Sequence, residues 1–370
     1  MGPLATILSA GVWFYVLCLV VETARKVRYR DRQRRNGCQS PPGIEQSPFL
    51  FGADWVVGFY RASRNGCGLR HHRREHERFG HTFSMDLFGS TVLHTADPEN
   101  IKHVLSLQFA NFDLGPNRRR AFSPFLGSGI FTADGEAWSH ARRSIKPRFS
   151  KQDLVSAIPG LEERTRRFLS SLPRDASVFD VQPLLFQLSM DISTEFLFGA
   201  STAGHKLPSQ FSTAFEAAQA GMALRIRLGS LMDLITSRQF HRSCSLVHRF
   251  VDEYIASSLS SSESEGEEKS FLTEMARNCS STSQLRDHVL NLLVAGRDTT
   301  AGLMSIALFA LSRHSHVWDK LQTEIAGLNG LPPGFGDLKN MKYLSWVIKE
   351  SRYMSPWSPP SSGRDLQLTQ

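Results

Sequence analysis

Between Asp287 and Arg313 the chain reads DHVLNLLVAGRDTTAGLMSIALFALSR. With Leu285 just ahead of it, Val289, Leu292, Leu293, Leu303, Met304, Ala307, Leu308 and Leu311 recur at i, i+3, i+4 and i+7 spacings, which predicts one long helix. A helix apolar on almost every face is buried in a large core or in a membrane. The apolar run is interrupted by Ala295-Gly296-Arg297-Asp298-Thr299-Thr300, so the stretch is a poor membrane span. In a core helix that interruption is costly. Gly296 loses about 1 kcal/mol of helix propensity relative to Ala, and the adjacent β-branched threonines lose a little more. Asp298 costs far more if it is buried without a partner. Local rules broken at one spot in an otherwise consistent helix mark a functional site.

Working outward, 370 residues with 41% apolar content and 25 Phe make a globular chain with a sizeable core, as one large domain or two smaller ones. The formal charge of +8 is unevenly placed. Arg25, Lys26, Arg28, Arg30, Arg32, Arg34 and Arg35 face only Glu22 and Asp31, so most of the excess sits just after the N-terminus. No groove of interleaved basic and aromatic residues follows, and the composition argues against nucleic-acid binding. The five cysteines, Cys18, Cys38, Cys67, Cys244 and Cys279, show no metal-ligand spacing. An odd, sparse set suits reduced thiols facing the cytosol.

Leu4 to Val21 holds no charge and as a helix is about 27 Å long, close to the thickness of a bilayer core. No basic residue precedes it and no small-residue cleavage site follows, which favours a signal anchor over a cleaved leader. The basic flank predicts that the following chain stays cytosolic. The expected organisation is an anchor over 1–24, a basic and Pro-rich hinge over 25–48 containing Pro41-Pro42-Gly43, a catalytic body over 49–350, and a polar tail over 351–370. Within LRHHRREHERFG (69–80), His72 and His76 lie at i, i+4, but the crowd of Arg and Glu reads as a solvated amphipathic helix rather than a metal site.

Residues 81–95, HTFSMDLFGSTVLHT, alternate and read as a hairpin. Asp97-Pro98 starts a helix. From Phe109 to Phe131 the chain is Phe-rich, punctuated by Gly, and expected to be a loop lining a pocket. A helix opens at Gly135, in which Trp138 and Arg142 fall at i, i+4. Their indole and guanidinium donors either converge on a carboxylate or simply pack on each other. Helices then alternate with turns to residue 255, SSLSSSESEGEEKS (257–270) is expected to be a solvated linker, and two amphipathic helices follow the long one.

These motifs together resemble the cytochrome P-450 superfamily of haem-thiolate monooxygenases, in particular the fungal microsomal group that hydroxylates n-alkanes and fatty acids. The resemblance rests on the anchor and hinge, on FANFDLGPNRRRAFSPFLGSGIFTADGEAWSHARRSIKPRFS (109–150), and on LRDHVLNLLVAGRDTTAGLMS (285–305). It implies a mainly α fold with a small β-sheet, a haem cofactor, an NADPH-dependent reductase as partner, and an apolar small-molecule substrate. It also implies an endoplasmic reticulum membrane location, single-pass, with the body facing the cytosol. For individual residues it implies that Asp298 and Thr299 guide protons to dioxygen at the haem, that Ala295 and Gly296 leave room for that oxygen, and that Trp138 and Arg142 bind the haem propionates.

Two positions depart from the family pattern. The family's Glu-x-x-Arg pair is here Glu350-Ser351-Arg352, and residues two apart on a helix point about 200° apart. The axial thiolate of the family lies in a Phe-x-x-Gly-x-Arg-x-Cys-x-Gly loop, and no cysteine here has that context, so no metal ligand is assigned. The expectation is an incomplete, inactive monooxygenase fold that binds haem weakly or not at all. A membrane-tethered, non-catalytic binding or scaffold protein is the competing reading.

Overall fold

A computed structural model describes residues 3–47, 50–88, 90–150, 155–175, 177–198, 209–229, 232, 237–265 and 271–354. The chain divides between Asn111 and Phe112 into two compact units.

The first unit opens with α1 (Pro3–Arg35), a continuous 33-residue helix that carries the apolar stretch and the basic cluster together. Trp13, Leu17 and Val20 on it are exposed. The Pro-Pro-Gly segment after α1 is tied down: Ser84 donates its N–H to the Pro42 carbonyl, and Ile44 donates to Ser84. Helices α2 (Ala53–Arg64) and α3 (Gly68–Phe79) precede an antiparallel hairpin, β1 (Thr82–Leu87) and β2 (Ser90–Thr95), with Thr82 opposite Thr95. The alternation legible in the sequence thus forms the hairpin it predicts. Asp97 caps α4 (Pro98–Lys102) by accepting from the N–H groups of Glu99 and Asn100, as Asp-Pro at a helix start requires.

The histidines singled out on α3 pack with aromatic rings. His72 lies 5.5 Å from His94 of β2 and 4.8 Å from Phe59 of α2, while His94 stacks on Phe83 at 5.1 Å. Burial first, and the neighbouring histidines second, push His94 down to about 4 and lower His72.

The second unit contains α5 (Gly115–Leu126), α6 (Gly135–Ile145), α7 (Ile158–Ser171), α8 (Gln182–Phe198), α9 (Ser209–Leu228), α10 (Arg238–Glu265), α11 (Phe271–Ala276) and α12 (Thr282–Arg313). After these come α13 (Ser315–Ala326), α14 (Phe335–Asn340) and α15 (Lys342–Met354). The core gathers Phe125, Phe215, Val247, Ile255, Leu272 and Met275 around Leu285, Val289, Leu290 and Leu293 of α12. Helix α12 is long and apolar enough to cross a membrane; Leu285, Val289, Leu290 and Leu293 of its first half belong to this core, whereas Leu308 and Phe309 near its end are exposed.

Three expectations are revised. Residues 115–126 form a helix rather than a loop, because Pro116 sits in its first turn, where no backbone donor is lost, and Pro124 falls close to the far end. The Ser/Glu stretch continues α10 to Glu265, whereas residues 266–270 lie outside the described residues. Met341 breaks the last amphipathic stretch into α14 and α15. Helix α15 takes in residues 351–354 of the tail expected over 351–370, and the rest of that stretch lies outside the described residues.

Candidate active site

Helix α12 is capped where its sequence permits: the Ser281 hydroxyl accepts from the Gln284 N–H. Its polar interruption is resolved side by side around the helix. Ala295 turns toward a pocket of about 270 Å³ whose apolar lining is Ile130, Phe131, Ile145, Phe149, Leu292 and Ala295 itself. The polar lining is Arg142, Lys146 and Asn291. Arg142 and Lys146 lie at i, i+4 and both line the pocket. The Arg142 guanidinium also sits 5.6 Å from the Trp138 ring, so the pair packs as a cation on an aromatic face.

Gly296 faces the other way. A Cβ there would come within 2.7 Å of the Ser193 hydroxyl on α8, so the glycine permits close approach of two helices rather than lining the pocket. The buried Ser189 hydroxyl, one turn earlier on α8, points at the Gly296 and Arg297 carbonyls at 3.1 and 2.9 Å.

Arg297 is 5% exposed and is the most enclosed cation of the segment. Its guanidinium donates to Asp298 at 3.1 Å, to Gln219 of α9 at 3.2 Å and to Glu216 at 2.6 Å. The Phe186 and Phe215 rings lie 5.1 and 5.6 Å from it. Asp298 therefore has the partners its position demands, accepting a further 2.8 Å bond from Gln219. Thr299 is exposed and donates its hydroxyl to the Ala295 carbonyl at 2.7 Å, the back-bond open to a threonine within a helix.

Of the residues marked in the sequence, the structure brings Arg142 and Ala295 into one pocket and links Trp138 to it through Arg142. Asp298 and Gly296 point instead toward α9 and α8. Glu350 and Arg352 are both exposed, on either side of the buried Ser351, as their spacing requires. Sequence reasoning missed Lys146, one turn beyond Arg142, and Asp287 and Asn291, both buried on α12. The available signal was a pair of polar residues at i, i+4 in an apolar helix. Burial raises the Asp287 carboxyl above its ordinary range, with the Ser128 N–H opposing it. His288 beside it is fully enclosed, and burial, then nearby His140, lowers its pKa.

Comparison with known proteins identifies the family. The cytochrome P450 family model matches residues 55–365. Cytochrome P450 52A7 of Candida tropicalis is 36% identical over 383 residues, covering 96% of this chain and 75% of the relative. Cytochrome P450 52A12 of Debaryomyces hansenii is 33% identical over 380 residues, covering 94% and 72%. Cytochrome P450 monooxygenase himC of Aspergillus japonicus is 31% identical over 376 residues, covering 96% and 67%. With the family match spanning most of the sequence and a mainly helical fold built around the interrupted helix, the chain belongs to the cytochrome P450 family of haem-dependent monooxygenases.

Proposed function

We propose that this chain supplies the distal half of a membrane-anchored monooxygenase site for a long apolar substrate such as a fatty acid or alkane. The observation that carries the reading is the convergence of Arg142 and Ala295, from helices far apart in sequence, on one largely apolar pocket. Its lining suits one edge of the group the family implies, with Arg142 and Lys146 for its carboxylates, apolar side chains beside them and a small residue on the long helix; at about 270 Å³ the space takes that edge and not the whole macrocycle. When bound, haem supplies the redox chemistry that inserts one oxygen atom into a C–H bond, with electrons from NADPH by way of a reductase. Arg142 and Lys146 would hold its carboxylates, with Trp138 backing the Arg142 guanidinium.

The protein's own part in proton handling falls to Asp298 and Thr299. The Asp298 carboxylate is fixed by Gln219 and Arg297 while its side chain remains 21% exposed to solvent. The Thr299 hydroxyl, already donating to Ala295, keeps lone pairs that accept from water. Glu350 and Arg352 do not act as a pair. Helix α1, apolar and then basic, is read as an anchor in the endoplasmic reticulum membrane with the body on the cytosolic side.

A second reading, a membrane-tethered binding protein without oxidative activity, is favoured by the thiols. Burial pushes Cys244 up to about 12 and Cys279 up to about 11, so both keep their protons at neutral pH. Neither lines the pocket that holds Arg142 and Ala295. Ferrous–CO spectroscopy of membranes containing the chain separates the readings: a CO-dependent haem band that weakens in Arg142→Met supports the monooxygenase site, and no CO-dependent band at all favours the binding protein.

A further inference from the structure

Asparagine is followed by glycine at three places, Asn36-Gly37, Asn65-Gly66 and Asn329-Gly330, and all six residues are exposed. Such a pair is chemically vulnerable, because no side chain on the second residue hinders its backbone nitrogen from closing on the asparagine carboxamide. The first two pairs end helices in the same way. Gly37 (φ +65) and Gly66 (φ +67) take the left-handed position just past α1 and α2. The Gly37 N–H donates to the Arg34 carbonyl at 3.2 Å, and the Cys38 N–H to that of Gln33 at 2.9 Å. The Gly66 N–H donates to Ser63 at 3.1 Å, and the Cys67 N–H to Ala62 at 2.7 Å. In both, the nitrogen that would attack the asparagine is the donor of a cap bond.

The third pair is built differently. It follows α13, and Asn329 and Gly330 are both left-handed, at φ +52 and +76, as in a mirror-image two-residue turn. The Leu331 N–H closes this turn on the Leu328 carbonyl at 3.0 Å, and the Asn329 N–H donates to Ala326 at 3.0 Å. Between them the Gly330 N–H donates to nothing among the described residues.

We propose that Asn329 is a site of spontaneous covalent modification, converted by its own backbone and water to aspartate and isoaspartate, and that the helix caps protect Asn36 and Asn65 from the same reaction. The Gly330 nitrogen gives its proton to solvent base and attacks Asn329 Cγ. The new C–N bond closes a succinimide as the side-chain amide departs as ammonia. Water then opens either ring carbonyl, so each conversion consumes one water and releases one ammonia. Ring closure requires rotation about the asparagine ψ. At Asn36 and Asn65 that rotation pulls the attacking nitrogen and the next N–H out of the cap; at Asn329 only the Leu331 bond is at stake. The surroundings register the product. Leu328, Gly330 and Leu331 line a cavity of about 880 Å³ together with Ile325, Pro332 and Leu338. Both products add a negative charge just past the C-terminal end of α13, where the helix dipole disfavours it. Isoaspartate also routes the backbone through an extra carbon, which displaces this wall.

The experiment incubates the detergent-solubilised full chain in neutral buffer at physiological temperature, folded and in urea, and follows the three Asn-Gly peptides by mass spectrometry. Isoaspartate is read separately by methyl transfer from S-adenosylmethionine with an isoaspartyl carboxyl methyltransferase. One net hydrogen bond is worth on the order of a tenfold change. In the folded chain Asn329 should therefore convert about tenfold faster than Asn36 or Asn65, and in urea the three rates should converge. Hydrogen exchange at 327–334 should quicken as conversion proceeds, with α8 and α12 unchanged. Asn329→Gln, whose longer side chain closes a ring far more slowly, should show no such quickening over the same time. Conversion of Asn36 or Asn65 in the folded chain at the rate of Asn329 overturns the proposal. So does an Asn329 that reacts only in urea, or a difference between the sites that persists unchanged in urea.

Discussion

Replacing Asp298 by alanine should destabilise the protein more than replacing Arg297 by methionine, although both changes break the same ion pair. Asp298→Ala leaves a guanidinium that is 5% exposed with one charged partner, Glu216, whose side chain is 61% exposed and screened by water. Removing one member of a buried pair and stranding the other costs about 3–5 kcal/mol. Arg297→Met removes the buried charge itself. Asp298 keeps its 2.8 Å bond from Gln219, and the thioether still fills the space between Phe186 and Phe215. What is lost is the cation–aromatic attraction and charge-assisted bonding, offset by relief of desolvation, for a net of about 1–2 kcal/mol. The gap of about 2 kcal/mol corresponds to about 4–8 °C in unfolding temperature for a unit of this size. Thermal unfolding followed by tryptophan fluorescence on the solubilised full chain measures it. The double variant should be more stable than Asp298→Ala alone, since it no longer buries a cation whose remaining charged partner, Glu216, is largely solvated. Equal costs for the two single variants, or strict additivity in the double, would refute the claim that the guanidinium is the expensive charge.

Other outcomes follow from the same geometry. Gly296→Val should force α8 from α12 and cost about 1–3 kcal/mol in denaturant melts, with Ser193→Ala recovering part of it, because the added atoms meet the Ser193 hydroxyl. Glu216→Ala should cost less than about 1 kcal/mol, as expected for a largely solvated carboxylate. In the first unit, His94 is held at about 4 in the folded state against 6.5 when unfolded. The unfolded state therefore binds the extra proton first, so stability is full above pH 6.5 and falls between pH 6.5 and 4. Allowing for partial exposure, the loss is about 1–2 kcal/mol. Hydrogen exchange of β1 and β2 should accelerate over that window, and His94→Phe should flatten the slope; an unchanged slope would show that the ring cluster does not sense pH.

Much of the fold was legible because hydrophobic period and capping chemistry act locally. The α12 repeat, the alternation of β1 and β2, and the Asp97-Pro98 start each produced the element their residues specify. The helix α5 was misread because its Phe, Gly and Pro content resembles a loop, whereas both prolines fall near its ends and its buried face is completed only by distant partners such as Phe215. The polar fault at 295–300 singled out one helix, but a sequence does not say which way each residue turns. Ala295 faces the pocket, Gly296 faces Ser193, and Asp298 faces Gln219. Asn291 and Lys146 escaped notice because their roles depend on contacts with segments far away in sequence or on a pocket assembled from several helices.

The most direct test of the account is a hemin titration of the solubilised full chain, wild type against Arg142→Met, with Lys146→Met alongside. Saturable binding that weakens about tenfold or more on loss of Arg142, and by less on loss of Lys146, is the expected result for a pocket that receives carboxylates through these cations. Binding indifferent to Arg142, or no saturable binding, would contradict the assignment of this pocket.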